Sequence, residues 1–343
     1  MTPLPVRSLR PTGVYCLRYR YGKTSHISEK LGDMSRKRGR KMKTIEAYNL
    51  TKRFKDLIAV NNISLEVEPG EIYAFVGLNG AGKTTTIRMV LGMIKPTQGT
   101  VLLFGKNIRK NFDLWNKVGY LVEATYSYPN LTVKENLEVY WHLRRLKDKK
   151  LIDNVIERLG LLNYQNTKAK HLSLGNLQRL GLAKVLMHQP KLLLLDEPMN
   201  GLDPAGIIEI REMLKEFSRH GTTIFISSHI LSEVAKLATK IGIIHKGKLI
   251  KEVKFDELER QVIKRLIIET PDNSKAVEFL KNKNISSNIN EKNMIEVYDS
   301  NVINRPETIC EWLVSTGLTP RTLYVLEEDL ETFFIRTIKT NEV

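Results

Sequence analysis

Gly77-Leu78-Asn79-Gly80-Ala81-Gly82-Lys83-Thr84 decides how the rest of this 343-residue chain is read. The stretch fits G-x-x-x-x-G-K-[ST] in full. It follows the apolar run Ile72–Val76, which has the length of a buried strand, and opens into Ile87, Val90, Leu91 and Ile94 at helical spacing, with Pro96 beyond. Glycines at these positions let successive backbone N–H groups turn inward as an anion nest, and the helix N-terminus adds partial positive charge. Lys83 can then reach terminal phosphates as a mobile point charge, and Thr84 offers a hydroxyl to a hard divalent cation. The loop predicts a nucleotide phosphate site.

A second stretch supplies the acids that such a site needs. Lys191-Leu192-Leu193-Leu194-Leu195-Asp196-Glu197 reads as a central strand whose carboxyl end carries two carboxylates. One can face Mg²⁺ and the next can orient or deprotonate a water, which suffices for phosphoryl transfer because that reaction depends on positioning and charge neutralisation.

Outward from these stretches, Ile63, Leu65 and Val67 alternate with polar residues and end at the turn Pro69-Gly70. Further strands are predicted at Leu192–Leu195, Thr223–Ser227 and Ile241–Ile244, alternating with helices. Asp203 reads as an N-cap with Pro204 at the first helical position, followed by Ile207, Ile210, Leu214 and Phe217. Alternation of this kind implies an α/β fold with a largely parallel sheet and helices on both faces. From about 125 to 185 the strand signals stop, and Thr132-x-x-Glu135 is a capping box that opens a helical insertion. Past 260 the pattern restarts as strand, helix, strand, helix, strand, an α+β arrangement of ferredoxin-like kind over 261–343.

Composition sets limits. The chain is 42% hydrophobic and 27% charged, and no apolar run approaches the roughly 18 residues of a membrane helix. Cys16 and Cys310 have no metal-ligand spacing and are read as free thiols in a reducing compartment. Of the net charge of +16, +9 resides in residues 1–41, leaving +7 for the other 302. That uneven distribution argues against a basic nucleic-acid face on the folded body. Residues 1–43 read as a disordered basic extension; an arm for anionic lipid or RNA, or sequence upstream of a natural start at Met42, are the alternatives. Removing 1–41 is expected to leave folding and nucleotide binding unchanged, because no periodic apolar pattern there could join a core.

Leu172-Ser173-Leu174-Gly175-Asn176-Leu177-Gln178-Arg179-Leu180 lies 23 residues (Ser173 to Asp196) before the acidic strand end. It resembles the LSGGQ signature of the ABC ATPase family. Asn200-Gly201-Leu202-Asp203 is similar to that family's D-loop, Ser227-Ser228-His229 to its switch-histidine segment, and Phe54 to its adenine-stacking aromatic. These motifs cover about residues 44–255 and imply an ABC-type P-loop nucleotide-binding domain over 44–260, with an antiparallel β subdomain. Leu174 and Asn176 depart from the usual signature, and Gly119-Tyr120-Leu121-Val122-Glu123 resembles the Q-loop with an acid where glutamine is usual. Both departures, and Tyr126–Thr132 after them, resemble ATPases of bacitracin and lantibiotic self-protection exporters. An ordinary exposed acid at 123 and a structural histidine at 229 are the plain alternatives.

The resemblance implies Glu197, His229 and Lys83 as catalytic residues. It implies Phe54, Gly77, Leu78, Asn79, Gly80, Ala81, Gly82, Lys83, Thr84, Thr85, Ser173 and Gly175 as ATP contacts, with Thr84, Asp196 and Glu123 at Mg²⁺. It also implies head-to-tail pairing with a second nucleotide-binding domain, so that Ser173 and Gly175 act in trans, and a separate membrane permease whose coupling helices meet the surface near Glu123–Leu131. The chain is then expected in the cytoplasm on the inner face of the membrane, with no nucleic-acid partner. A non-transport ABC ATPase and an ATP-binding regulatory switch remain the alternatives. Against the first stands an interval of only about 90 residues from P-loop to signature, without heptads.

Overall fold

In the computed structural model of the chain, residues 42–122 and 127–340 are described. Strands β1 (Ile45–Phe54) and β2 (Leu57–Val67) form an antiparallel pair, Ile45 opposite Val67. Strand β3 (Ile72–Val76) leads into α1 (Lys83–Val90). Then β4 (Gln98–Leu103) and β5 (Lys106–Asn107) extend the first sheet to the order β2-β1-β4-β5. After β6 (Val118–Leu121) come α2 (Val133–Leu143), α3 (Lys150–Arg158) and α4 (Leu174–Leu186). Next are β7 (Leu192–Asp196), α5 (Pro204–Arg219), β8 (Thr223–Ser228), α6 (Leu231–Ala235), β9 (Lys240–His245) and β10 (Lys248–Lys254). The second sheet runs β10-β9-β3-β8-β7-β6, parallel except for β10 at its edge.

The central strands are apolar on both faces, and their period of two divides them between two cores. Ile72, Ala74 and Val76 of β3, Leu193 and Leu195 of β7, and Ile224 and Ile226 of β8 face one core with residues of α4, α5 and α6. Tyr73, Phe75, Leu192, Leu194 and Phe225 face the other. There Tyr73 stacks on Phe225 at 5.2 Å, and the Tyr73 hydroxyl donates to Glu252 at 2.7 Å. The cover over this second face differs from the helices implied by simple alternation. It is the antiparallel sheet, through Ile45, Ala47, Ile63, Leu65, Val101 and Leu103, together with α1. Helix α1 also stops earlier than its apolar spacing implies. Gly92, at φ 65°, ends it after Val90, before Ile94 and Pro96 are reached.

The capping box is present: Thr132 accepts from the Glu135 N–H at 3.2 Å, and Glu135 accepts from the Thr132 N–H at 2.7 Å. Asp203 caps α5 by accepting from the Gly206 N–H at 3.0 Å, with Pro204 following. No strand lies between β6 and β7 among the described residues, as expected of the helical insertion.

From Met42 onward the chain forms one compact unit. After α7 (Phe255–Glu259), β11 (Lys264–Glu269), α8 (Asn273–Asn282), β12 (Ser287–Ile289), β13 (Ile295–Val297), α9 (Ser300–Ile303), α10 (Pro306–Ser315) and β14 (Thr322–Glu327) build an antiparallel sheet ordered β12-β13-β11-β14. Numbered within this segment, the order is 2-3-1-4, that of a ferredoxin-like βαββαβ unit. Leu266, Ile268, Leu280, Ile295, Ile309 and Leu313 form its separate core. The last helix, α11 (Leu330–Thr340), leaves that unit and lays Phe333, Phe334 and Ile338 into the first core.

Candidate functional site

The phosphate loop is shaped by backbone contacts that exclude side chains at two of its glycines. A Cβ on Gly77 would lie 2.5 Å from the Ile244 carbonyl oxygen. Gly82 sits at φ 108°, and a Cβ there would lie 2.5 Å from the Ala59 carbonyl oxygen, so geometry and space both demand glycine. Ala81 is buried in the second core, and its carbonyl accepts from the Gly247 N–H at 3.0 Å. The β9–β10 turn is thereby fastened to the loop. Leu78, by contrast, is 52% exposed.

Lys83 begins α1 and is buried, with its ammonium returned to the loop. It donates to the Gly77 carbonyl at 2.8 Å and the Leu78 carbonyl at 3.4 Å, and lies 3.4 Å from Glu197 Oε1. One residue into the helix, the Thr84 hydroxyl donates to Asp196 Oδ2 at 2.7 Å, bridging α1 to the end of β7. The other Asp196 oxygen accepts from the Ser227 hydroxyl of β8. Thr84 and Asp196 are hard oxygen donors facing each other, the kind of set Mg²⁺ takes when it keeps waters and phosphate oxygens as its other ligands. No cluster of three or more acidic, His or Cys side chains able to hold a metal occurs among the described residues.

Glu197 follows Asp196 at φ 50°, a left-handed conformation unusual for a side-chain-bearing residue. Its N–H donates to the Ser227 carbonyl at 3.2 Å, which helps hold the turn. The carboxylate divides its oxygens: Oε1 toward Lys83, and Oε2 to His229 Nδ1 at 2.9 Å. That contact places the imidazole proton on Nδ1. The side chains of Glu197 and His229 are 19% and 38% exposed, enough for a solvent molecule to reach the carboxylate.

These elements open into a cleft of about 550 Å³ lined by Phe54, Asn79, Gly80, Gly82, Lys83, Thr84, Thr85 and Glu197. Phe54 closes β1 at its hairpin, is 45% exposed, and carries the Lys52 ammonium 4.8 Å from its ring centroid. Leu57, Ile58, Ala59, Lys246 and Gly247 line the same cleft and escaped the sequence reading. Their only signals were the turns around Lys55-Asp56 and Lys246-Gly247, which say nothing of where those turns dock.

Ser173 and Gly175 lie outside this cleft. Ser173 caps α4 by accepting from the Asn176 N–H at 3.2 Å. A Cβ on Gly175 would stand 3.0 Å from the Gly201 carbonyl oxygen, so the signature and D-loop segments lie together. Leu174 beside them is 67% exposed. Glu123, read from sequence as a metal-side acid, lies outside the described residues.

A second concavity of about 630 Å³ runs between β6, α2 and α4, lined by Met93, Trp115, Tyr120, Tyr140, Leu143, Arg144 and Lys184 among others. Its lining is mainly apolar and includes the cations of Arg144 and Lys184. Burial lowers the Lys184 ammonium to about 8, while its Nζ donates to Ser127 Oγ at 2.9 Å. Nearby, burial, reinforced by the charge of Arg144, lowers His188 to about 4, and its Nε2–H donates to the Val118 carbonyl at 3.1 Å.

Residues 60–200 match the family described as ABC transporter. The chain is 39% identical over 298 residues to the bacitracin transport ATP-binding protein BcrA of Bacillus licheniformis, covering 86% of this chain and 97% of that one. It is 39% identical over 215 residues to the lantibiotic transport ATP-binding protein SrtF of Streptococcus pyogenes, covering 63% and 93%. Among solved structures, an ATP-binding subunit of an ABC transporter superposes with TM-score 0.59 at 26% identity, over 64% of this chain and 92% of that one.

Proposed function

The chain belongs to the ABC transporter ATP-binding subunits, and from that premise we propose that its ATP hydrolysis drives export of a peptide antibiotic or similar amphipathic compound through a separate membrane permease. The observation that carries the catalytic part is the convergence, at one cleft, of two linked pairs. Thr84 bonds Asp196 beneath the phosphate loop, and Glu197 bonds His229 beside it.

In this reading Phe54 stacks on adenine, and the N–H groups of Gly77–Thr85 with Lys83 hold the phosphates. Lys83 would exchange its carbonyl partners for phosphate oxygens. Thr84 and Asp196 would hold Mg²⁺, which neutralises phosphate charge when bound. Glu197 orients and deprotonates the attacking water, and His229 holds the Glu197 carboxylate in place from Nδ1. Glu123 would complete the metal side of the site and sense loss of the γ-phosphate.

Two nucleotide-binding domains would close head to tail, most simply as a homodimer. Ser173, exposed at the N-terminus of α4, and the half-buried Gly175, both away from their own cleft, would then complete the partner's site. The aromatic groove between β6, α2 and α4 would take the permease's coupling helix. Among the described residues no helix is long and apolar enough to cross a membrane, so the permease would be what brings the chain to the inner face. Residues 261–343 would serve as an accessory domain, and nucleic acid has no part in this account.

The test is co-expression with a candidate permease in bacitracin-sensitive cells. Resistance that rises with the pair and vanishes with Glu197→Gln is expected. Active ATP hydrolysis without any gain in resistance to bacitracin or lantibiotics would reject the export assignment.

A further inference from the structure

Helix α6 starts two residues after His229 and is only five residues long, too short to hold its own shape in isolation. Its N-cap residue, Ile230, has no side chain that can cap it. The cap comes instead from a distant part of the chain: the Ser232 N–H donates to Glu331 Oε1 at 3.1 Å. Glu331 lies in the first turn of α11, the terminal helix that follows the ferredoxin-like unit.

That contact has a firm base. Phe333 of α11 is fully buried and Phe334 nearly so, in one core with Leu231, Val234 and Ala235 of α6. Lys251 and Arg336 approach the Phe333 ring at 4.9 and 5.3 Å. Arg336 also grips Glu328 through two hydrogen bonds of 2.9 and 2.7 Å, tying α11 to the segment just before it. On its other flank α6 is held by Arg211 of α5, 3.2 Å from Glu233. The helix that follows His229 is thus clamped between the D-loop helix and the C-terminal helix.

We infer that Glu331 is a positioning residue for His229. Its carboxylate satisfies an orphan N–H in the first turn of α6, where negative charge is favoured. With that turn fixed, the His229 ring stays at 2.9 Å from Glu197. Without it α6 frays from the His229 end, and the carboxylate loses its orienting partner in a share of the molecules. The segment beyond residue 260 thereby acts on the hydrolytic step through one hydrogen bond, and nucleotide binding at the phosphate loop is untouched.

This inference rests on the assignment of His229 to Glu197, and the experiment separates the two. Steady-state ATP hydrolysis is measured on the full chain for Glu331→Ala, Glu331→Gln, His229→Ala and the double variant His229→Ala/Glu331→Ala, with the thermal midpoint of each. Glu331→Ala is expected to lower kcat by up to about fivefold, the equilibrium factor of one exposed helix cap, with KM unchanged. Glu331→Gln retains the acceptor oxygen and should restore most of kcat. In the His229→Ala background Glu331→Ala should have no further effect, because the two act in series. An equal further loss in that background, or a parent-like kcat for Glu331→Ala while His229→Ala is impaired, overturns the inference alone. A parent-like kcat for His229→Ala overturns the site assignment and the inference with it.

Discussion

Replacing Phe54 by Ala should weaken ATP binding about 30-fold while leaving kcat and folding nearly intact. The ring is 45% exposed at the rim of the phosphate cleft, and Lys52 covers one of its faces. A Phe side chain presents roughly 200 Å², so about 90 Å² remains open, of which a base stacked on one face would cover about half. At about 25 cal/mol/Å² that burial contributes roughly 1 kcal/mol. Aromatic stacking adds ~0.5–1.5 kcal/mol beyond area. The total of about 2 kcal/mol corresponds to a factor of about 30 in Kd. Because the stack is the same before and at the transition state, the loss should appear in KM and spare kcat. Phe54→Trp should retain affinity, and Phe54→Leu should recover the area part alone. Calorimetric titration with ATP, and with the triphosphate lacking a base, reads the effect. The two ligands should bind Phe54→Ala with nearly equal affinity. Parent-like ATP affinity in Phe54→Ala would refute the stacking role, and a loss confined to kcat would mean the residue acts elsewhere.

Gly82→Ala forces a Cβ to within 2.5 Å of the Ala59 carbonyl at φ 108°, so it should cost about 1–3 kcal/mol and abolish nucleotide binding, read by thermal midpoint and titration. His188 supplies a pH dependence. Burial and Arg144 keep its folded pKa at about 4, below the unfolded value of roughly 6.5. The unfolded state therefore binds more protons between those values. The stability His188 contributes is complete above about pH 6.5 and is lost as pH falls toward 4. In denaturant titrations His188→Leu should flatten the stability curve across that window, and an unchanged slope would show that His188 does not titrate there.

Much of this molecule was legible because local chemistry and tertiary demand coincide at the decisive residues. The apolar runs Ile72–Val76 and Leu192–Leu195 are buried on both faces, so they could only be central strands. Asp203-Pro204 and Thr132-x-x-Glu135 state helix starts whatever surrounds them. The pattern after 260 gave three strands and two helices. It missed β12, three residues long, and α9, four residues long, because each is too short to repeat its side-chain period twice, and it stopped short of the terminal helix α11. Helix α11 shows clear amphipathic spacing, yet nothing local says that Phe333 and Phe334 face the ATPase core. Such long-range placement is set by which apolar faces remain uncovered after the rest has folded. The same holds at the site. Lys83, Thr84, Asp196 and Glu197 were readable from motif chemistry, whereas the docking of Gly247 on Ala81 and of Glu331 on Ser232 depends on residues far apart in sequence.

The central claim is that Glu197 activates water beside a bound nucleotide, and single-turnover hydrolysis by Glu197→Gln tests it most directly. Glutamine keeps the shape of the side chain and a hydrogen-bonding group toward Lys83 and His229, so ATP affinity should stay within a few-fold of the parent. The chemical step should slow by about 10²–10⁴, the range for loss of a positioned general base. ATP-bound chains should then accumulate as a dimer in size-exclusion chromatography with Mg²⁺. Hydrolysis at the parent rate by Glu197→Gln, with ATP bound normally, would contradict the assignment.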